Sequence, residues 1–166
     1  MTELYHGSLE IVTSPEIRDP NRTLDYGAGF YLTSSSEQAE AWVRRKLRGG
    51  VTFGYVNIYE YDATMEEDLK TLIFEHPDET WLDFVMANRM ERDYRHDYDI
   101  VKGPVANDRV YASFALYEAG LIDKQELIRG LRTYKLVNQI LIHTEKAIAC
   151  VRWKEAREVR KWTIEK

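Results

Sequence analysis

Three short stretches of this chain carry side chains able to do more than pack. "LYHGS" (positions 4–8) sets His6, Gly7 and Ser8 in succession: a titratable ring, a residue that admits close main-chain approach, and a hydroxyl. "DYGAGFYLT" (25–33) places Tyr31 just after Gly27 and Gly29, where special torsions are open to the backbone and a phenol ring can face a ligand or close a core. "LVNQILIH" (136–143) interrupts an apolar alternation with Gln139. A buried amide without partners costs about 1–3 kcal/mol, so Gln139 is either bonded inside the core or faces a cleft that a ligand fills.

Other chemistry-bearing residues are scattered. His6, His76, His96, His143 and the single cysteine, Cys150, show no short ligand spacing, so no metal site is expected. Walker, GxGxxG and GxSxG patterns are absent. Asn107 and Asp108 follow a proline turn and suit helix capping or the edge of a cleft. Glu145, near Gln139 in sequence, reads as an exposed strand-end residue or a carboxylate for the same site.

These residues must be positioned by an α+β fold. "YHGSLEIV" reads as a strand broken by its glycine, and "TSPEIRDPNRTLDYGAG" as a loop long enough to cover a site. "FYLT" follows as a strand. Ser35 with Gln38 resembles a capping box for a helix carrying Ala39, Trp42, Val43 and Leu47, stopped by Gly49 and Gly50. "VTFGYVNIYEY" alternates as a strand does, Asp78 caps a helix with Trp81, Leu82, Val85 and Met86, and "YDIVKGP" is a short strand. Asn107 or Asp108 opens a helix closed by Gly120, and Asp123 with Glu126 opens another. "KLVNQILIHT" is apolar on both faces and reads as a central strand, with "AIACVRW" as a weaker one. Strands lie at both ends and helices between.

The 166 residues suit one domain, 1–166, with no apolar run near the roughly 18 residues of a membrane span. Net charge is -5 and the isoelectric point near 5.5, which disfavours broad attraction to nucleic acid or anionic lipid. The basic runs "RRKLR" (44–48) and "VRWKEAREVRKW" (151–162) are the candidate exceptions, the first reading as a solvated helix face. The opening "MTELYHGS" lacks the pattern of a secretory signal and one cysteine permits no internal disulfide, so a cytoplasmic setting is expected.

Taken together and in this order, "LYHGS", "DYGAGFYLT" and "NQILIH" resemble signature segments of the ADP-ribosyltransferases, on the His-Tyr-Glu branch that includes diphtheria toxin and the poly(ADP-ribose) polymerases. A still longer resemblance, adding "GPVAND", is to a bacterial domain of unknown function. The superfamily resemblance implies a split β-sheet core with helices inserted between strands, and NAD as substrate. It implies that His6 bonds the adenine-side ribose, that the Gly7 main chain and Ser8 hydroxyl hold the nicotinamide carboxamide, and that Tyr31 stacks on the nicotinamide. Arg18, Arg22 and Asp25, in or at the end of the long loop, could reach the pyrophosphate or an acceptor.

Position 139 departs from that pattern, with Gln where the branch has Glu. An amide accepts a hydrogen bond from a ribose hydroxyl but supplies neither negative charge nor a general base. The resemblance therefore implies mono-ADP-ribosyl transfer to a protein or nucleic acid, or NAD hydrolysis, rather than polymer synthesis. By family analogy the chain could be the toxin of a toxin-antitoxin pair, restrained by an antitoxin protein. The alternatives are a module that binds NAD or ADP-ribose without turnover, favoured by the missing glutamate, and an RNA-directed relative such as the tRNA 2'-phosphotransferases, which the acidic balance disfavours.

Overall fold

Ser35, Asp78 and Asp123 each start a helix by the means expected of them. Their side chains accept from the backbone N–H three residues on, at 3.2 Å from Gln38, 3.0 Å from Trp81 and 2.8 Å from Glu126. The structure, a computed structural model, describes residues 1–18, 24–105, 108–133 and 136–162. Its helices are α1 (Ser36–Lys46), α2 (Glu79–Met90), α3 (Asp108–Glu118) and α4 (Lys124–Arg132). Gly120, at φ +75°, closes α3 in the left-handed region that L side chains avoid.

The strands are β1 (Thr2–Ser8), β2 (Phe30–Thr33), β3 (Phe53–Tyr61), β4 (Thr71–Ile73), β5 (Ile100–Pro104), β6 (Asn138–Ile142) and β7 (Val151–Arg160). They form one sheet in the order β4-β5-β6-β2-β1-β3-β7, parallel at β4–β5 and antiparallel elsewhere. The architecture is α+β. β6 is central, as its two apolar faces demand, with β5 on one side and β2 on the other. β1 runs unbroken through Gly7 and stops at Ser8, because β3 pairs with it along its whole length.

Register assigns the two faces. Leu4, Phe30, Leu32, Tyr59, Ile100 and Ile142 form one core, closed by a turn of 3-10 helix at Glu145–Cys150. On the other face Val101 and Leu141 meet Trp81, Val85, Phe114 and Leu131 from α2, α3 and α4, while Ala39 and Val43 of α1 cover Val56. Thus β5, β6 and β2 lie beneath one helical layer and β1 and β3 beneath α1.

β4 and the length of β7 are not legible in the sequence. β7 is an edge strand whose outward cations are answered by carboxylates: Lys154 meets Glu3, Arg152 meets Glu60, and Arg157 lies 3.3 Å from Glu40. The run "VRWKEAREVRKW" is therefore a laced edge rather than a phosphate groove. In "RRKLR", Arg44 pairs with Glu40 at 2.7 Å and stacks over Trp162 at 4.0 Å. Among the described residues no helix is long and apolar enough to cross a membrane.

Candidate functional site

The sheet is weakest where the two halves join. β1 and β3 are paired at every position from Thr2 to Ser8, whereas β1 and β2 are in register only at Tyr5–Thr33. An uninterrupted ladder would give the Tyr31 carbonyl to a β1 amide; here it lies 2.7 Å from Nδ1 of His6 instead. The His6 ring lies 4.2 Å from that of Phe30, and burial holds its pKa below the ordinary 6.5. A carbonyl only accepts, so Nδ1 carries the proton and the neutral ring presents Nε2 as an acceptor. His6 is thus a side-chain wedge in the β1–β2 joint.

Tyr31 acts as a post for the loop before it. Its hydroxyl donates to the Gly27 carbonyl at 2.5 Å and accepts from the Tyr26 N–H at 3.1 Å, and burial raises its pKa well above the usual phenol value. The two carbonyls that flank Gly27 in this loop are held as well. His96 Nε2 is 2.7 Å from the Tyr26 carbonyl and His143 Nδ1 is 2.5 Å from that of Ala28, the two imidazoles stacked 4.2 Å apart. Because His96 Nδ1 accepts from the Tyr98 N–H at 3.2 Å, its Nε2 is the protonated nitrogen and donates. Successive carbonyls at 26, 27 and 28 therefore end on side chains from the loop before β5, from β2 and from the residue after β6. Gly27 and Gly29 take φ +91° and +145° to allow it, and a Cβ at Gly29 would stand 2.3 Å from the Ile142 carbonyl.

Gln139 answers its own question. It is buried, 7% exposed, opposite Thr33 on β2 and Gly103 on β5. Over Gly103 sits the hydroxyl of the fully buried Tyr26, which would stand 2.5 Å from a Cβ placed there. That hydroxyl donates to the Pro104 carbonyl at 2.7 Å and accepts from Trp81 Nε1 at 2.9 Å. The Gln139 side chain acts on the same phenol, countering the rise that burial gives its pKa. An amide can turn an N–H toward such an oxygen at neutral pH, whereas a carboxylate would face its lone pairs with its own.

His6, Tyr31 and Gln139 thus occupy adjacent strands β1, β2 and β6, although 133 positions separate the outer two. Their side chains do not share a face: His6 lies with Phe30 on one, Tyr31 and Gln139 with Leu141 on the other. The space over Gly7 is filled by α1, since a Cβ there would stand 2.5 Å from the Ala39 carbonyl, so glycine is required for helix packing. Ser8 accepts from the Glu10 N–H at 3.1 Å. Arg18 forks onto Glu16 at 3.0 Å in an exposed stretch, and Asp25 turns to Arg89 at 3.2 Å and to the Tyr111 hydroxyl at 3.3 Å. Glu145 is exposed beyond the far end of β6, which carries it about 10 Å or more from Gln139 at the rise of a strand. Arg22 and Asn107 lie outside the described residues, and Asp108 opens α3.

Tyr26, His96 and His143 went unread in the sequence as members of this assembly. Tyr26 sits inside the quoted glycine motif, and His143 ends the alternation of β6; neither signal says which carbonyl it meets. Cys150 is buried, which pushes its thiol up, and among the described residues no group of three or more His, Cys, Asp or Glu is placed to hold a metal. Two surface grooves lie elsewhere, one between α2 and the α3–α4 turn and one beside Asn138, His76 and Arg132.

A family model described as "Protein of unknown function (DUF3990)" matches residues 2–153. No curated protein matches the chain.

Proposed function

The chain belongs to the DUF3990 family, and from the joint at the centre of its sheet we propose that it is an NAD-dependent mono-ADP-ribosyltransferase acting on a cellular macromolecule. One observation carries the reading: the β1–β2 ladder is reduced to a single residue pair, and a neutral histidine fills the gap. The triplet "HGS" lies on β1, "GAGFY" leads into β2 and "NQ" opens β6, three neighbouring strands of the sheet.

In this reading His6 Nε2 accepts a ribose hydroxyl, its Nδ1 being committed to Tyr31. The clamped loop at 26–29 supplies a rigid wall, and rigidity is what positioning catalysis requires. The bond from ribose C1' to the nicotinamide nitrogen breaks, nicotinamide departs, and the acceptor's lone pair forms the new bond to C1' with loss of its proton. The positive charge that builds on the ribose resembles that of glycoside hydrolysis. Gln139 has a carbonyl oxygen to offer a hydroxyl, and no negative charge to offer the cation. Such a site suits an acceptor that is already nucleophilic.

The second reading, a module that holds NAD or ADP-ribose without turnover, is favoured by the neutral amide buried at position 139 in place of an acid. Mixing the protein with NAD and candidate acceptors, and measuring free nicotinamide and an ADP-ribose mass adduct, separates the two. Release that falls at least about tenfold in His6→Ala supports the enzyme. Saturable NAD binding in calorimetry without release supports the binder. Neither binding nor release overturns both.

A further inference from the structure

On the helical side of the sheet, α2 and the α3–α4 turn enclose a solvent-open trough of about 1020 Å³. Its floor is apolar: Met86, Met90, Tyr117, Leu121 and Ile122. Met90 and Leu121 are 63% and 72% exposed, far more than their neighbours in the same helical layer. The turn has the hydrogen bonds of a Schellman motif, with the Gly120 N–H on Tyr117 O at 3.0 Å and the Leu121 N–H on Leu116 O at 2.9 Å. That motif ordinarily buries its two apolar side chains against each other, yet Leu116 stays 44% exposed and Leu121 more so.

The rim is acidic: Asp83, Glu91, Glu118, Asp123 and Glu126 all line the trough. Lys124 meets Asp83 at 2.7 Å at one end, and Arg89 is 3.8 Å from Glu118. Among the described residues Glu91 and Glu126 make no ion pair. An apolar floor inside a ring of carboxylates matches a segment with the opposite arrangement. Methionines suit such a floor because their flexible thioethers adapt to the shape that enters.

We propose that this trough docks a basic amphipathic helix of a partner protein, apolar residues inward at helical spacing and Lys or Arg against the rim. The wall from Asp83 to Glu91 runs about 12 Å along α2, enough for two turns of such a helix. Among the described residues a second copy of this chain offers no comparable segment on its surface. Its most basic helix, α4, turns Leu127, Ile128 and Leu131 into its own core, and α1 buries Ala39 and Val43 and pairs Arg44 with Glu40. The proposal stands apart from the NAD reading, since it uses none of its residues.

The test is fluorescence anisotropy with a labelled helical peptide of about 16 residues, Leu at i, i+3, i+4 and i+7 and Lys elsewhere. Saturable binding is expected, weakening several-fold as salt rises from about 0.05 to 0.5 M, and at least tenfold weaker for Leu121→Asp and Met90→Asp. Both side chains are exposed, and an unchanged thermal midpoint establishes that the variants fold. Glu91→Lys with Glu126→Lys is expected to weaken binding further and to flatten its salt dependence. A scrambled peptide of equal composition that binds equally well, or variants that bind as the parent does, would overturn the proposal. So would a concentration-dependent dimer abolished by Leu121→Asp, which would make the occupant a second copy.

Discussion

Replacing Gln139 by Glu reverses one atom's role inside the core while leaving the shape unchanged. In the parent, the Tyr26 hydroxyl accepts from the Trp81 indole and donates to Pro104, with the Gln139 amide close enough to act on the phenol. A carboxylate at 139 has no hydrogen to turn toward that oxygen. It leaves a charge desolvated at a position only 7% exposed and facing the phenol lone pairs, so Gln139→Glu should cost roughly 2–4 kcal/mol at pH 7. Urea unfolding followed by tryptophan fluorescence measures this, since Trp81 lies within the cluster. The burial that raises the new acid's pKa above its unfolded value of about 4.3 also sets the pH dependence. The deficit should be full above the folded pKa and vanish below the unfolded one, where the acid is protonated and uncharged. In the background of Tyr26→Phe, which removes the facing lone pairs, the cost should shrink by about 1 kcal/mol or more. A Gln139→Glu protein within about 0.5 kcal/mol of the parent at pH 7 would refute the reasoning and turn residue 139 outward into a cleft.

Two further outcomes follow from the same region. Burial keeps His6 and His96 neutral below the ordinary 6.5, so the unfolded chain takes up protons at a higher pH than the folded one. Stability should be level above about pH 7.5 and fall as pH drops through 6.5 toward the depressed folded values; a flat profile between about pH 8 and 5 would contradict it. Gly29→Ala, at φ +145° and with its Cβ 2.3 Å from a carbonyl oxygen, should cost about 3 kcal/mol or more. Gly49→Ala, at φ +60° with open space around it, should cost only about 1 kcal/mol, and the two denaturation midpoints compare them directly.

Much of the scaffold was legible before folding was considered. Ser35, Asp78 and Asp123 announce their helices because a cap and its partner are three residues apart. The centrality of β6 shows in its own two apolar faces. β4, only Thr71–Ile73, escaped because three residues hold no periodicity, and the strand read from "AIACVRW" onward begins only at Val151, its first four residues being a 3-10 turn.

The sequence by itself determined where the four helices and all strands but β4 form, and it offered His6, Tyr31 and Gln139 as residues with chemical capacity. Only the tertiary structure decided that these lie on adjacent strands but on two faces, that His6 replaces a backbone bond at the β1–β2 joint, and that Gln139 is buried opposite Gly103 and Thr33. Only it paired His96 with His143 around the glycine loop. The physical reason is one of range. Caps and periodicity act among residues a few positions apart, whereas a hydrogen bond from a side chain to a carbonyl 25, 70 or 115 positions away requires no particular residue at its acceptor and so leaves no pattern in the chain.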